Sequence, residues 1–123
     1  MSLTNAKPVA FLATTRPADA TLFYRDVLGL KLVEETGFAL VFDAFGTMLR
    51  VQKADEVHPP TYTAFGFEVK DLDACVKALI GKGVTVLKPE GMDLDPNGVW
   101  TAPNGTRVFW FYDPEGHVLS LSQ

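Results

Sequence analysis

Residues 107–122 read Arg107-Val108-Phe109-Trp110-Phe111-Tyr112-Asp113-Pro114-Glu115-Gly116-His117-Val118-Leu119-Ser120-Leu121-Ser122. Two β-prone runs flank Asp113-Pro114-Glu115-Gly116, in which Pro presets φ, Asp can bond the backbone two residues on and Gly accepts positive φ. The stretch is therefore a β-hairpin. With Tyr112 facing Val118, Trp110 lies beside Ser120. Alternation then sends these two to one face and Phe109, Phe111, Leu119 and Leu121 to the other, beneath a helix. Upstream, residues 63–69 read as a strand. Asp71 opens a helix with the stripe Leu72, Cys75, Val76, Leu79 and Ile80, stopped by Gly81 and Gly83. Residues 84–88 form a strand, 90–98 a polar excursion and 99–102 a short extra strand. The order is βαβββ.

Working outward to the N-terminal half, the same order appears. Residues 8–14 (PVAFLAT) form a short apolar strand. Thr15 is expected as N-cap of a helix with Pro17 in its first turn and Ala20, Phe23, Val27 and Leu30 on its apolar face, until Gly29 ends it. Strands 31–35, 38–43 and 47–52 are separated by Thr36-Gly37 and Phe45-Gly46. Residues 54–60, with Pro59-Pro60, form a connecting loop. Placing Ala64 on Val9 sets Phe65-Gly66-Phe67 on Ala10-Phe11-Leu12. Placing Gly116 on Gly46 sets Val118, Leu119, Ser120 and Leu121 on Met48, Leu49, Arg50 and Val51. The expectation is an α+β chain, one domain over 1–123, with modules at about 7–58 and 61–123.

Composition narrows the function. The 123 residues are 47% hydrophobic and 21% charged, which fits a globular chain that needs neither disulfide nor metal to stay folded. Eleven Lys and Arg against fifteen Asp and Glu leave a net charge of −4, so nucleic acid and an anionic membrane surface are poor partners. No stretch approaches the roughly 20 apolar residues of a membrane span, and the first thirty residues lack the pattern of a secretory signal. One cysteine, Cys75, cannot form an internal disulfide. A cytoplasmic setting is expected.

Phe23-Tyr24-Arg25-Asp26-Val27-Leu28-Gly29-Leu30 and Phe111-Tyr112-Asp113-Pro114-Glu115-Gly116-His117 resemble signatures of the vicinal oxygen chelate superfamily, which includes glyoxalase I, bleomycin-resistance proteins and extradiol dioxygenases. The resemblance covers essentially the whole chain. It implies two βαβββ modules whose mixed sheets curl into a cup, a site inside that cup and usually a homodimer. Metal-binding members take four ligands, typically His or Glu, from the first and last strand of each module. Carried onto this chain those positions are Val9, Arg50, Ala64 and Ser120. Valine and alanine have no donor atom, arginine is a permanent cation and a lone serine hydroxyl is a weak ligand. The chain departs from the metal-dependent pattern at all four, and no cofactor is expected.

Other chemistry-bearing residues are few. His58, in the connecting loop, and His117, after the turn, are expected to be solvent-exposed, and Cys75 to be a small core residue. Arg50 and Glu68 carry more information. Alternation puts Met48, Arg50 and Gln52 on one face, and Ala64, Gly66 and Glu68 on one face, the faces that the ligand positions turn into the cup. A charge there is either satisfied internally, as an Arg50–Glu68 ion pair, or reaches solvent at the mouth of the cup, or is reserved for a ligand. In the last case Arg50 anchors a carboxylate, phosphate or enolate oxygen, with Glu68 as its orienting partner or as a general base. Trp110, beside Ser120, faces into the cup, and Trp100, next to the polar excursion, suits a site's mouth. The expected ligand-binding set is thus Arg50, Glu68, Trp110, Ser120, Trp100 and Met48. The leading reading is a metal-independent small-molecule binding protein whose ligand is planar or aromatic with an anionic oxygen. The alternatives are a metal-independent lyase or isomerase using Arg50 and Glu68, and a divalent-metal lyase or dioxygenase with other ligands, such as His58 contributed across a dimer.

Overall fold

The computed structural model describes residues 1–123, and the chain separates into two compact units, Met1–Val57 and His58–Gln123. In the first, β1 (Val9–Thr14) leads into a short helix α1 (Pro17–Thr21) that passes into a π-helical segment (Leu22–Val27). Strands β2 (Lys31–Glu35), β3 (Ala39–Ala44) and β4 (Thr47–Lys53) follow as a meander. The sheet order is β1-β4-β3-β2, so the first strand pairs in parallel with the last and every other pair is antiparallel. The crossover that parallel pairing needs is the helical segment.

One face of this sheet carries the core. Leu40, Phe42, Leu49 and Val51 are fully buried, and Leu12 and Thr14 nearly so. Tyr24 lies fully buried against them, its ring 5.5 Å from that of Phe42 and 5.0 Å, edge to face, from Phe23. Burying each such side chain contributes on the order of 1.5–3 kcal/mol. The π-helical segment explains why adjacent residues 23 and 24 both turn inward. Leu28 N–H donates to the Phe23 carbonyl at 2.9 Å, a five-residue span that adds one residue to the turn and shifts the apolar stripe. Val27 and Leu30, expected on that stripe, are only half-buried, and Tyr24, not expected there, is at its centre. Thr15 is not the N-cap either. That position is Arg16, and the Thr14 hydroxyl accepts from the Arg16 N–H at 2.9 Å.

The second unit repeats the plan. β5 (Thr63–Glu68), α2 (Leu72–Gly81), β6 (Thr85–Leu87), β8 (Arg107–Tyr112) and β9 (Val118–Ser122) give the order β5-β9-β8-β6, with the short β7 (Trp100–Thr101) also on β8. β5 and β9 are parallel, again first on last. Asp71 caps α2 as expected, its carboxylate accepting from Ala74 N–H at 3.1 Å. The buried stripe is Leu72, Val76 and Leu79. Cys75 is half-buried and Ile80 is 40% exposed, so both flank the stripe rather than form it. Phe109, Phe111, Leu119 and Leu121 are buried as the hairpin register requires, and Tyr112 pairs with Val118 and Trp110 with Ser120.

The α+β class with two βαβββ units matches the expectation. The hydrogen-bonded ladders form two sheets, one per unit, each with its own edges. The repeat alignment holds from Phe65 onward. Thr63 pairs with Val118 and Phe65 with Leu119, so Ala64 is an extra, unpaired residue in β5 and does not share the regular alternation of Gly66 and Glu68.

The β3–β4 connection is a two-residue loop, Phe45-Gly46, with φ of +52° and +90°. Both positive values mark the mirror-image turn that matches strand twist, for which Asn-Gly is the preferred pair. Phe45 is fully exposed, so its ring gains no burial to offset the left-handed backbone. Phe45→Asn is expected to raise stability by roughly 0.5–1 kcal/mol, read as a higher denaturant midpoint with unchanged slope. A lower midpoint would show that the Phe45 ring makes a stabilising contact.

Candidate functional site

Each sheet has one face packed on its helix and one face, called open below, that no helix of its own unit covers, and the chemistry-bearing residues lie on the latter. In the first unit the register sets Val9 beside Met48, Phe11 beside Arg50, and Val41 beside Arg50 on the other side. Arg50 thus stands between Phe11, 55% exposed, and the buried Val41. The Arg50 side chain is half-buried and pairs with no carboxylate of its own unit. Among the acids of this unit, Asp43 accepts from Gly46 N–H at 2.7 Å, Glu35 pairs with Lys53 at 2.9 Å and Asp26 with Arg25 at 2.8 Å, while Glu34 stands opposite Val41 in the row that Arg50 shares. The Arg25–Asp26 pair raises the Arg25 pKa through its hydrogen bond and charge, but lies on the surface, where it contributes little.

In the second unit Gly66 pairs with Ser120, which pairs on its other side with Trp110. Trp100 pairs with Val108, one alternation step from Trp110 on the same face, and the two indole rings lie 6.0 Å apart at 31°. A shallow hollow of about 300 Å³, lined by Asp93, Leu94, Asp95, Val99, Trp100 and Thr101, opens beside this pair. Its wall is stiffened by Asp95, whose carboxylate accepts from Asn97 and Val99 N–H groups at 2.9 Å each. Glu68 sits at the end of β5 opposite Ser122 and is exposed. Trp100, Trp110, Ser120 and Glu68 thus share one open face, while Met48 and Arg50 share the other.

His58 is exposed, as expected. His117 is not. It is 5% exposed, its Nδ1 is 2.9 Å from an Asp113 carboxylate oxygen, and its backbone N–H donates to Asp113 at 2.8 Å. The tight turn folds the Asp113 carboxylate inward, where it also accepts from Glu115 N–H at 3.0 Å. A carboxylate residue only 7% exposed requires such donors, and His117 supplies two of them. The role of His117 is therefore to hold the hairpin turn. The pairing of the two tryptophans is invisible in the linear pattern until residues 99–102 and 107–112 are joined by a tight turn. The signal is Asn104-Gly105, where Ala102 and Thr106 close the loop at 2.7 Å.

The four positions that hold metal in metal-dependent relatives do not fit a divalent ion here. Val9 and Arg50 lie on the first sheet's open face and offer no donor pair; Ala64 is aliphatic in a bulge; Ser120 offers one neutral hydroxyl. No three His, Cys, Asp or Glu side chains gather into a metal-binding group. No helix is long and apolar enough to cross a membrane.

The family model described as the Glyoxalase/Bleomycin resistance protein/Dioxygenase superfamily matches residues 7–121. A search of curated proteins returned no match. Among solved structures, a glyoxalase/bleomycin resistance protein/dioxygenase from Alicyclobacillus acidocaldarius is 21% identical with a TM-score of 0.72, covering 96% of this chain and 90% of that one. Lactoylglutathione lyase from Agrobacterium tumefaciens is also 21% identical, with a TM-score of 0.74 and coverage of 98% and 95%. The fosfomycin resistance protein FosX from Listeria monocytogenes is 18% identical, with a TM-score of 0.75 and coverage of 94% and 89%. At these identities the likenesses speak for the fold. Two βαβββ units, the paired signatures and a family match over nearly the full length together place this chain in the glyoxalase/bleomycin resistance protein/dioxygenase superfamily.

Proposed function

We propose that this protein binds a small planar or aromatic molecule bearing an anionic oxygen, without a metal ion. The observation that carries the reading is Arg50: a half-buried guanidinium on an open sheet face, with apolar neighbours and no carboxylate partner in its unit. A fixed fork of donors with no partner suits a planar carboxylate or enolate. Trp100 and Trp110 supply flat apolar area, worth about 25 cal/mol per Å² removed from water. Met48 adds adaptable contact beside Arg50, and Ser120 a hydrogen-bonding group. Glu68, at the end of β5, is the candidate general base of the second unit. Solved neighbours include a lyase and a resistance protein. Binding is favoured here because Glu68 is exposed and no group of its own unit holds it as a base. The protein is proposed to act in the cytoplasm as a homodimer, with no nucleic-acid or membrane partner.

Matched acids and their neutral amides test the anchor by calorimetry. The parent protein is expected to prefer acids, Arg50→Ala to lose the preference, and Glu68→Gln to strengthen acid binding. Equal binding of acids and amides by the parent would overturn the assignment of Arg50. Elemental analysis after chelator-free purification is expected to find no stoichiometric transition metal. One tightly held zinc, nickel, iron or manganese per chain would favour the metal-enzyme reading. Light scattering at micromolar concentration is expected to give twice the 13.5 kDa chain mass, and a clean monomer would count against the dimer.

A further inference from the structure

The open face of the second sheet contains a glycine that its backbone does not demand. Gly66 lies inside β5 with no positive φ, where glycine weakens a strand and marks a close approach of some other group. A Cβ built at Gly66 would overlap one side-chain group, the Ser120 hydroxyl, and the next nearest atoms are 3.6 Å or more away. Ser120 is half-buried, and its hydroxyl has no hydrogen-bond partner in its unit. Across the ladder from it stands Trp110, its ring tilted by 31° against that of Trp100. The glycine, the free hydroxyl and the indole pair adjoin one another on one face.

We infer that Gly66 is a positioning residue: it keeps the Ser120 hydroxyl aimed into the open face, where it hydrogen-bonds a polar ring substituent of a ligand lying on Trp100 and Trp110. This rests on the ligand class proposed above and narrows it to a planar ring carrying a hydroxyl or ring nitrogen in addition to its anionic oxygen. A free hydroxyl is adaptable, since it both donates and accepts. It gains little when it meets a bare aromatic edge, so it discriminates between otherwise equal rings.

The probes are 2-naphthoate and its 6-hydroxy and 7-hydroxy derivatives, titrated by calorimetry against the parent, Ser120→Ala, Gly66→Ala, the Gly66→Ala/Ser120→Ala double variant and Arg50→Ala. The parent is expected to bind the better hydroxy derivative roughly fivefold tighter than 2-naphthoate, the worth of one hydrogen bond. Ser120→Ala and Gly66→Ala should each bring that ratio to about one while keeping the parent's thermal midpoint or better, because Ala suits a strand and the Ser120 hydroxyl alone has to rotate. The double variant should match Ser120→Ala. A preference that survives either single substitution, a parent with no preference or no binding, or a Gly66→Ala protein of lowered stability would overturn the inference. Arg50→Ala separates it from the broader reading. Weaker binding of all three probes at an unchanged ratio is expected if Arg50 is the anion anchor. Unchanged affinities with a ratio still dependent on Ser120 would remove the anchor and leave the inference standing.

Discussion

Both units depend on one pairing: the first strand lies parallel to the last, β1 on β4 and β5 on β9. A meander alone would leave its last strand as a bare edge. Bringing the first strand alongside covers that edge, makes β4 and β9 interior strands and forces the intervening chain across one face. The crossover then becomes the helical layer that buries Leu49, Val51, Leu119 and Phe111 from one side only. The other face of each sheet has no layer of its own within its unit, and that is where Arg50, Trp110 and Ser120 are displayed.

The same constraint shapes the electrostatics of those faces. Alternation along an interior strand places every second residue away from the helix, so a charge at Arg50 or a hydroxyl at Ser120 costs the core nothing. Immediately adjacent positions, Leu49, Val51, Leu119 and Leu121, are among the most buried in the chain. Rigid backbone therefore supports variable chemistry, which accounts for one fold housing both a lyase and a resistance protein among its solved examples.

The strands of the terminal hairpin, its register and the Asp71 cap were legible in sequence because each rests on local physics: alternation, turn chemistry and a single side chain reaching three residues on. Tyr24 was not legible, because the π-helical segment adds a residue to a turn whose composition is ordinary for an α-helix. Ala64 escaped because nothing in Thr63-Ala64-Phe65 distinguishes a bulge from regular pairing. The burial of His117 was not legible because it follows from where the Asp113 carboxylate turns, which depends on the folded hairpin rather than on neighbours in sequence. For the candidate site, the faces could be read from alternation, whereas the meeting of Trp100 with Trp110 required two strands to pair across a turn.

No ladder of either sheet crosses the junction between Val57 and His58. All strand pairing is therefore accomplished by closures within about half the chain, which limits the entropy lost in forming each nucleus, since that loss grows with the logarithm of loop length. The hairpins supply fast local contacts, and the parallel pair, the most distant in sequence, closes each unit last in entropic order. Repeating a closed unit thus supplies a second sheet face without a helix of its own, and does so without lengthening the slowest loop that folding must close.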